Sequence, residues 1–326
     1  MTRRDVAEQV VVVLGASSGI GRATALEFAR RGATVVCASR GEQALRTLVE
    51  EITAAGGRAQ AFRADITRVQ DLQALVAAAE SAHGRVDTWV TMAGVSVYGT
   101  VDDIPLEEFR RVAEVNYLGH VAAAKVAVPA LERSGGGVLV GMASVEGVRS
   151  LPFHAPYTAS KFAARSFYDA LRVELAHAGS PVAVSTILPA GIGTPFWENS
   201  RNRTSHLTKP PPPPYAPELV ADVVVRMATH PRRQAVVGGA SLGFILGEKF
   251  NPGLTDVVLS LVGRRMQTSR RPDNGTDIVS TPTPGPGQVH GEHAGHLIRR
   301  DLFTTLSARL PRPGEALLAL RARWAR

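Results

Sequence analysis

The stretch VVVVLGASSGIG, residues 10–21, joins a run of β-branched residues to a glycine-rich turn near the start of the chain. Its four valines and Leu14 predict a strand that is buried on both faces. Gly15, Gly19 and Gly21 allow a tight turn and a close approach of the backbone to a pyrophosphate, and the helix expected next offers unpaired N–H groups. This order predicts a dinucleotide site, and a purely structural turn is the alternative.

The same alternation of short apolar runs with amphipathic stretches continues to about residue 237, which is typical of a parallel sheet covered by helices on both faces. The predicted strands are residues 10–14, 34–38, 59–63, 88–91, 137–142, 182–188 and 235–237. The predicted helices are residues 20–31, 42–55, 69–83, 106–116, 119–133, 157–178 and 217–229. These elements predict an α/β fold with a doubly wound, Rossmann-like sheet of seven parallel strands.

The length of 326 residues accommodates one catalytic domain and an appendage. We expect a catalytic domain over residues 1–240, with a substrate lid at about 194–215, and a basic C-terminal extension over residues 241–326. Composition predicts disorder at about 270–295, followed by two amphipathic helical segments within 297–326. The five prolines at 210–214 favour a stiff spacer over a ligand for SH3-type domains.

The formal net charge of +8 is uneven, because eleven arginines and five acidic residues lie from residue 264 onward and carry +6 of it. This tail could contact a partner or an anionic membrane surface, whereas the scarcity of aromatic residues argues against nucleic acid. Cys37 has no second cysteine to pair with, so we expect a reducing, cytoplasmic location. The charged residues 1–8 leave no room for a signal peptide, and charges interrupt the apolar stretch 242–262.

The end of the second predicted strand indicates which nicotinamide cofactor is used. An acidic residue there would bind the ribose hydroxyls and repel a 2′-phosphate. Ser39 takes that position, and Arg40 follows with a guanidinium suited to phosphate. We therefore predict NADP(H) over NAD(H), with an ordinary exposed arginine as the alternative interpretation.

Tyr157 and Lys161 lie four residues apart on a predicted helix, so their side chains share one face. A phenol can donate a proton to a carbonyl oxygen, and a nearby ammonium favours the phenolate and lowers the phenol pKa. Ser144 precedes Tyr157 by thirteen residues and follows a predicted strand. The three side chains predict a centre for carbonyl or alcohol chemistry.

The GxxxGxG turn, Ser144 and the Tyr-x-x-x-Lys pair together resemble the short-chain dehydrogenase/reductase family over about residues 8–240. The resemblance implies that Tyr157 is the general acid or base, that Lys161 lowers its pKa and that Ser144 holds the substrate oxygen. It also implies that Asn116 holds a water that completes a proton relay. Departures from the family pattern are Leu14 in place of a threonine and Thr91-Met92 in place of two asparagines.

The resemblance also implies a cofactor site in which Asp65 contacts adenine and Thr194 holds the nicotinamide carboxamide. A helix-capping role for Asp65 is the alternative. The expected cofactor-binding residues are Gly15, Ser17, Ser18, Gly19, Ile20, Gly21, Ser39, Arg40, Asp65, Ala93, Gly94, Tyr157, Lys161, Pro189, Gly191, Ile192 and Thr194. We expect no metal, because His290, His293 and His296 lie in a glycine-rich tract typical of solvated side chains; zinc is the alternative.

The predicted function is hydride transfer between NADP(H) and a small-molecule carbonyl or alcohol. Phe196 and Trp197 in the lid favour an apolar or amphipathic substrate. Glu146 is interpreted as a solvated loop carboxylate, although it could orient a polar substrate group. The family resemblance implies a homo-oligomer paired through helices 119–133 and 157–178.

Two other functions are compatible with parts of the pattern. The chain could be a scaffold or sensor that binds NADP(H) and contacts a partner or membrane through its basic tail. An extended-branch epimerase or dehydratase is a third alternative, but its GxxGxxG turn would need a glycine where this chain has Ser18.

Overall fold

The structure, a computed structural model, describes residues 3–292 and 295–310. Its main sheet has seven parallel strands, namely β1 (Val10–Leu14), β2 (Thr34–Ser39), β3 (Arg58–Arg63), β4 (Thr88–Thr91), β5 (Gly137–Met142), β6 (Val182–Pro189) and β7 (Gln234–Val237). Their spatial order is β7-β6-β5-β4-β1-β2-β3. The predicted doubly wound fold is confirmed, and the strand order reverses between β1 and β4, where such sheets form a crevice at their carboxyl ends.

Ten α-helices are described: α1 (Gly19–Arg30), α2 (Glu42–Ala54), α3 (Val69–His83), α4 (Leu106–Ala113), α5 (Gly119–Arg133), α6 (Ala155–His177), α7 (Pro217–Thr229), α8 (Ser241–Phe250), α9 (Pro252–Gln267) and α10 (Leu302–Arg309). The helix predicted over 106–116 ends earlier than expected. It passes at Glu114–Leu118 into a π-helical turn that leads directly into α5. A π turn adds one residue to a helical turn and so changes the direction of its side chains.

The two faces of β1 pack into two apolar clusters, as its continuous valine run predicted. Val11 and Val13 lie in a cluster that contains Phe28 of α1. Val12 and Leu14 lie in the other, on the opposite face of the sheet. This burial on both faces holds the end of β1, and thus the glycine turn after it, in place.

The C-terminal extension departs from the expected disorder at about 270–295. A short strand, Thr268–Pro272, pairs antiparallel with His206–Thr208, and the chain to residue 292 is packed on the domain. Val279 is 1% exposed and packs beside the second cluster. The low apolar content was misleading because backbone N–H and carbonyl groups make many of the contacts of this segment, and backbone groups leave no sequence pattern.

Helix α10 corresponds to the first of the two predicted terminal segments. Asp301 caps it by accepting a hydrogen bond from Thr304 N, and Thr304 Oγ1 accepts one from Gly238 N just after β7. The second segment, within 311–326, and His293 lie outside the described residues.

Candidate active site

A cleft of about 430 Å³ opens at the carboxyl ends of the strands, on both sides of the β1–β4 reversal. With the exception of Asn116, all the residues expected to bind cofactor or to act on substrate line this cleft. The fold therefore brings together residues that are up to 179 positions apart, from Gly15 to Thr194.

The glycine loop after β1 has no room for side chains. Gly15 has φ +100°, and a Cβ added there would lie 2.5 Å from Ala93 N. A Cβ on Gly21 would overlap the carbonyl oxygen of Gly15. The loop is held by Gly15 N and Ala16 N, which donate to Ala38 O at 2.7 and 3.1 Å. Such a cradle fits the backbone approach to a pyrophosphate that a dinucleotide requires.

Tyr157, Lys161 and Ser144 meet at the centre of the cleft. Lys161 Nζ lies 5.4 Å from the centre of the Tyr157 ring and donates to Met142 O at 3.0 Å. Ser144 is hydrogen-bonded to the Tyr157 phenol, and its Oγ accepts from Glu146 N at 3.1 Å. Because the bond from Glu146 N uses only an acceptor position of Oγ, the Ser144 hydroxyl keeps its proton for the phenol or for a bound oxygen atom.

Asn116 lies behind the cleft wall in the π-helical turn and is fully buried. Its Oδ1 accepts from Val95 N at 2.8 Å, and its Nδ2 donates to Val95 O and Ser160 Oγ at 2.9 and 3.0 Å. A Cβ on Gly94 would lie 3.5 Å from Asn116 Oδ1 and 3.7 Å from Lys161 Nζ. Asn116 thus ties the chain after β4 to α6, next to Lys161.

Glu146 is not the solvated carboxylate that the sequence suggested, since only 4% of it is exposed. Its Oε2 lies 2.9 Å from both His154 Nδ1 and Thr158 Oγ1. The His154 ring stacks on Tyr157 with 4.5 Å between centres and 13° between planes, and its Nε2 is hydrogen-bonded to Ser96 Oγ. Sequence reasoning missed this cluster because His154 is separated from Glu146 by a loop with no periodic pattern.

Burial and the charge of Glu146 act in the same direction on the pKa of Tyr157 and in opposite directions on the pKa of Lys161. Burial, with the Glu146 carboxylate, raises the pKa of Tyr157, while the hydrogen bond with Ser144 lowers it. Burial lowers the pKa of Lys161 to about 8, and Glu146 opposes that decrease. Glu146 therefore favours both a protonated phenol and a charged lysine.

His120 supports the chain that follows Thr91. Its Nε2 lies 3.0 Å from Ala93 O, and its Nδ1 lies 3.0 Å from the Tyr168 hydroxyl. Burial lowers the pKa of His120 to about 3, so the ring is neutral, and Nε2 must carry the proton because a carbonyl only accepts. His120 could not have been found from sequence, since nothing local distinguishes it from any other helical histidine.

The adenosine side of the cleft is formed by the ends of β2 and β3. Arg40 Nη2 donates to Ile278 O at 2.8 Å. Asp65 lines the cleft and also makes the turn expected of a capping residue, since Oδ1 accepts from Thr67 N and Thr67 Oγ1 at 2.9 and 2.8 Å. Ser39 is buried and accepts from Gly41 N at 3.3 Å.

The segment after β6 forms the opposite wall, where Pro189, Gly191, Ile192 and Thr194 line the cleft. The Phe196 ring lies 5.4 Å from the Tyr157 ring, and Trp197 is fixed by a 2.8 Å bond from Nε1 to Ile192 O. The predicted lid residues therefore sit against the predicted reacting group.

Comparison with known proteins identifies the family. A model of the short chain dehydrogenase family matches residues 9–205. The uncharacterized oxidoreductase YxnA of Bacillus subtilis (strain 168) is 32% identical over 324 residues, which covers 98% of this chain and 90% of that protein. The chain therefore belongs to the short-chain dehydrogenase family, and it is an NAD(P)-dependent oxidoreductase.

Two solved structures agree with this assignment. A short chain dehydrogenase/reductase from Burkholderia phymatum in complex with NAD is 27% identical, with a TM-score of 0.70 over 78% of this chain and 97% of that one. A variant of actinorhodin polyketide ketoreductase with NADPH is 27% identical, with a TM-score of 0.63 over 75% of this chain and 99% of that one. Among the described helices, none is long and apolar enough to cross a membrane.

Proposed function

We propose that this protein transfers a hydride between NADP(H) and a carbonyl or alcohol substrate, with Tyr157 as the general acid or base. The observation that carries the proposal is the meeting of Tyr157, Lys161 and Ser144 in one cleft beside a glycine loop that has no room for side chains. Each of the three supplies a group that carbonyl reduction needs.

NADPH held by the glycine loop and Thr194 would supply the hydride for the carbonyl carbon. Ser144 donates a hydrogen bond to the carbonyl oxygen, and the Tyr157 phenol transfers its proton to that oxygen as negative charge develops there. Lys161 stabilises the phenolate that remains. Alcohol oxidation uses the same groups in reverse, and Asn116 supports the position of Lys161 and the water through which protons are exchanged.

We assign the preference for NADP(H) to Arg40, which lines the cleft directly after Ser39, the position where an acidic residue would select NAD(H). The Arg40 guanidinium has five N–H donors. The two described bonds, to Ile278 O and Ser280 O, use two of these donors. Arg40→Ala should raise the Kd for NADPH roughly 10- to 100-fold, the loss of about 1.5–3 kcal/mol from hydrogen bonds to a charged group. The Kd for NADH should change little.

Arg63→Ala is the matched control, because Arg63 ends the neighbouring strand, is 67% exposed and pairs with Glu42 at 3.3 Å. An equal loss of NADPH and NADH binding in Arg40→Ala, or an equal effect in the control, would refute the assignment.

We propose an apolar or amphipathic substrate, because apolar side chains surround the reacting group. Leu151, Phe196, Trp197, Leu207 and Phe244 all line the cleft. We also propose a homo-oligomer paired through α5 and α6, since exposed apolar side chains lie on or next to these helices, including Leu118, Phe162 and Val173.

The direct test mixes wild type and Tyr157→Phe with NADPH and a panel of aldehydes, ketones and quinones, and follows the absorbance of the reduced nicotinamide. We expect turnover in wild type that collapses in the variant, while NADPH still binds. Tight NADPH binding without turnover on a broad panel would favour the alternative function, a sensor or scaffold.

A further inference from the structure

Residues 278–288 of the C-terminal extension cross the cleft, and we call them the strap. The strap contains no charged residue, and prolines occupy positions 282, 284 and 286. Proline has a fixed φ, so this part of the strap is stiff. Six of its residues line the same cleft as the glycine loop, namely Pro282, Thr283, Pro284, Pro286, Gly287 and Gln288.

The near end of the strap is anchored beside the lid. Ile278 N donates to Asn199 O at 3.1 Å, and Val279 is almost fully buried. Arg111 Nε donates to Val279 O at 3.2 Å. The Ile278 and Ser280 carbonyls accept from Arg40, the residue to which we assign the 2′-phosphate.

The far end of the strap lies on the glycine loop itself. Gln288 O accepts from Gly19 N, the first residue of α1, at 2.8 Å. Pro286 O accepts from Arg22 Nη1 at 3.2 Å and from Thr47 Oγ1. Beyond the strap, Gly291 N donates to Gly193 O at 3.2 Å, so the crossing is fixed at both ends.

Gly287 marks the closest approach between the strap and the loop. It has φ +75°, and an added Cβ would overlap Ser17 O and come within 2.9 Å of Ala44 Cβ. Gly285, two residues earlier, has φ +98°, but nothing lies within 4 Å of an added Cβ. The two glycines therefore share a left-handed backbone and differ in contact with the loop.

We propose that the strap is a second wall of the dinucleotide site, closed over its adenosine and pyrophosphate side, and that NADP(H) leaves only when the strap lifts. The proposal rests on the proposed function, because it takes NADP(H) as the ligand of the glycine loop. The strap carries no charged side chain, so it adds no net negative charge beside the cofactor's phosphates.

The test measures the rate of NADPH dissociation by stopped-flow fluorescence, with excess NADP⁺ as competitor, in wild type, Gly287→Ala and Gly285→Ala. Both alanines strain the backbone, but only the one at 287 pushes the strap off the loop. We expect dissociation about 10-fold faster or more in Gly287→Ala, and within about 2-fold of wild type in Gly285→Ala. An unchanged rate in Gly287→Ala, or equal acceleration in both variants, overturns the proposal.

Hydrogen exchange gives a second measurement that does not depend on variants. Addition of NADPH to wild type should slow exchange of the strap amides at 278–281, 283, 285, 287 and 288, because the enclosed cofactor keeps the strap closed. If NADPH binds but exchange of these amides is not slowed, the proposal that the strap closes over the cofactor is wrong, while the proposed function stands. Failure of wild type to bind NADPH contradicts the proposed function instead.

Discussion

Glu146→Gln should move the pH dependence of the reaction while preserving the shape of the site. Glutamine keeps the length of the side chain. Its amide can still bond to Thr158 Oγ1 and His154 Nδ1, which both lie 2.9 Å from Glu146 Oε2 in wild type. The substitution removes the negative charge behind the Tyr157 ring. Glu146 acts as a positioning residue, through its charge and through His154.

The magnitude follows from two separations. The carboxylate lies 2.9 Å from the imidazole of His154, whose ring centre lies 4.5 Å from that of Tyr157. A carboxylate roughly 7 Å from the phenol, at an effective dielectric constant of about 20, contributes on the order of 2 kcal/mol. Since one pKa unit corresponds to about 1.4 kcal/mol, the pKa of Tyr157 should fall by about one and a half units.

The sign depends on every charged or titratable group that faces the phenol. Burial is the larger cause of the raised pKa of Tyr157, and the Glu146 carboxylate, in the turn after β5, raises it further. Lys161, on α6, favours the phenolate, and Glu146 raises the pKa of this lysine too. His154, at the start of α6, stacks on the ring. Loss of Glu146 lowers the pKa of both Tyr157 and Lys161, so the phenolate should form at lower pH and lose its ammonium partner earlier as pH rises.

The assay is kcat/KM against pH for alcohol oxidation, which needs the phenolate, and for carbonyl reduction, which needs the phenol. In Glu146→Gln, oxidation should begin at a pH about one and a half units lower, and reduction should decline at a pH lower by the same amount. Asp87→Asn is the control, because Asp87 is also buried but lies at the amino ends of the central strands, opposite the cleft, where it accepts from Val10 N at 2.8 Å. A folded Glu146→Gln enzyme with the wild-type profile would refute this reasoning.

Three further outcomes are expected. Gly141→Ala should lower the free energy of unfolding in urea by about 1–3 kcal/mol, because its Cβ would overlap the Tyr168 ring, whereas Gly243→Ala, with open space around it, should be neutral or stabilising. Phe162→Glu should dissociate the oligomer in sedimentation, and an unchanged mass would exclude α6 from the interface. His120, with a native pKa near 3, takes up protons mainly when unfolded, so stability should fall as pH drops below about 6.5, less steeply in His120→Gln.

Local pattern was sufficient for the elements of the catalytic domain. The seven predicted strands agree with the structure within one residue at each end, since continuous β-branched runs can hardly form anything but buried parallel strands. The sequence also predicted the tight glycine turn and the shared helix face of Tyr157 and Lys161, because each lies within a single turn or a single helix.

Only the tertiary structure showed which groups surround the glycine loop, Tyr157 and Lys161. The sequence suggested a solvated Glu146, but the fold buries it against His154, which comes from the other end of a loop. It also suggested disorder at 270–295, yet the chain there lies on the glycine loop, more than 260 residues away in sequence. Periodicity in the sequence indicates which side chains face a core. It does not indicate which backbone carbonyls and buried charges come into contact across the fold. Such contacts raise the pKa of the Tyr157 phenol and place residues 278–288 along the cleft.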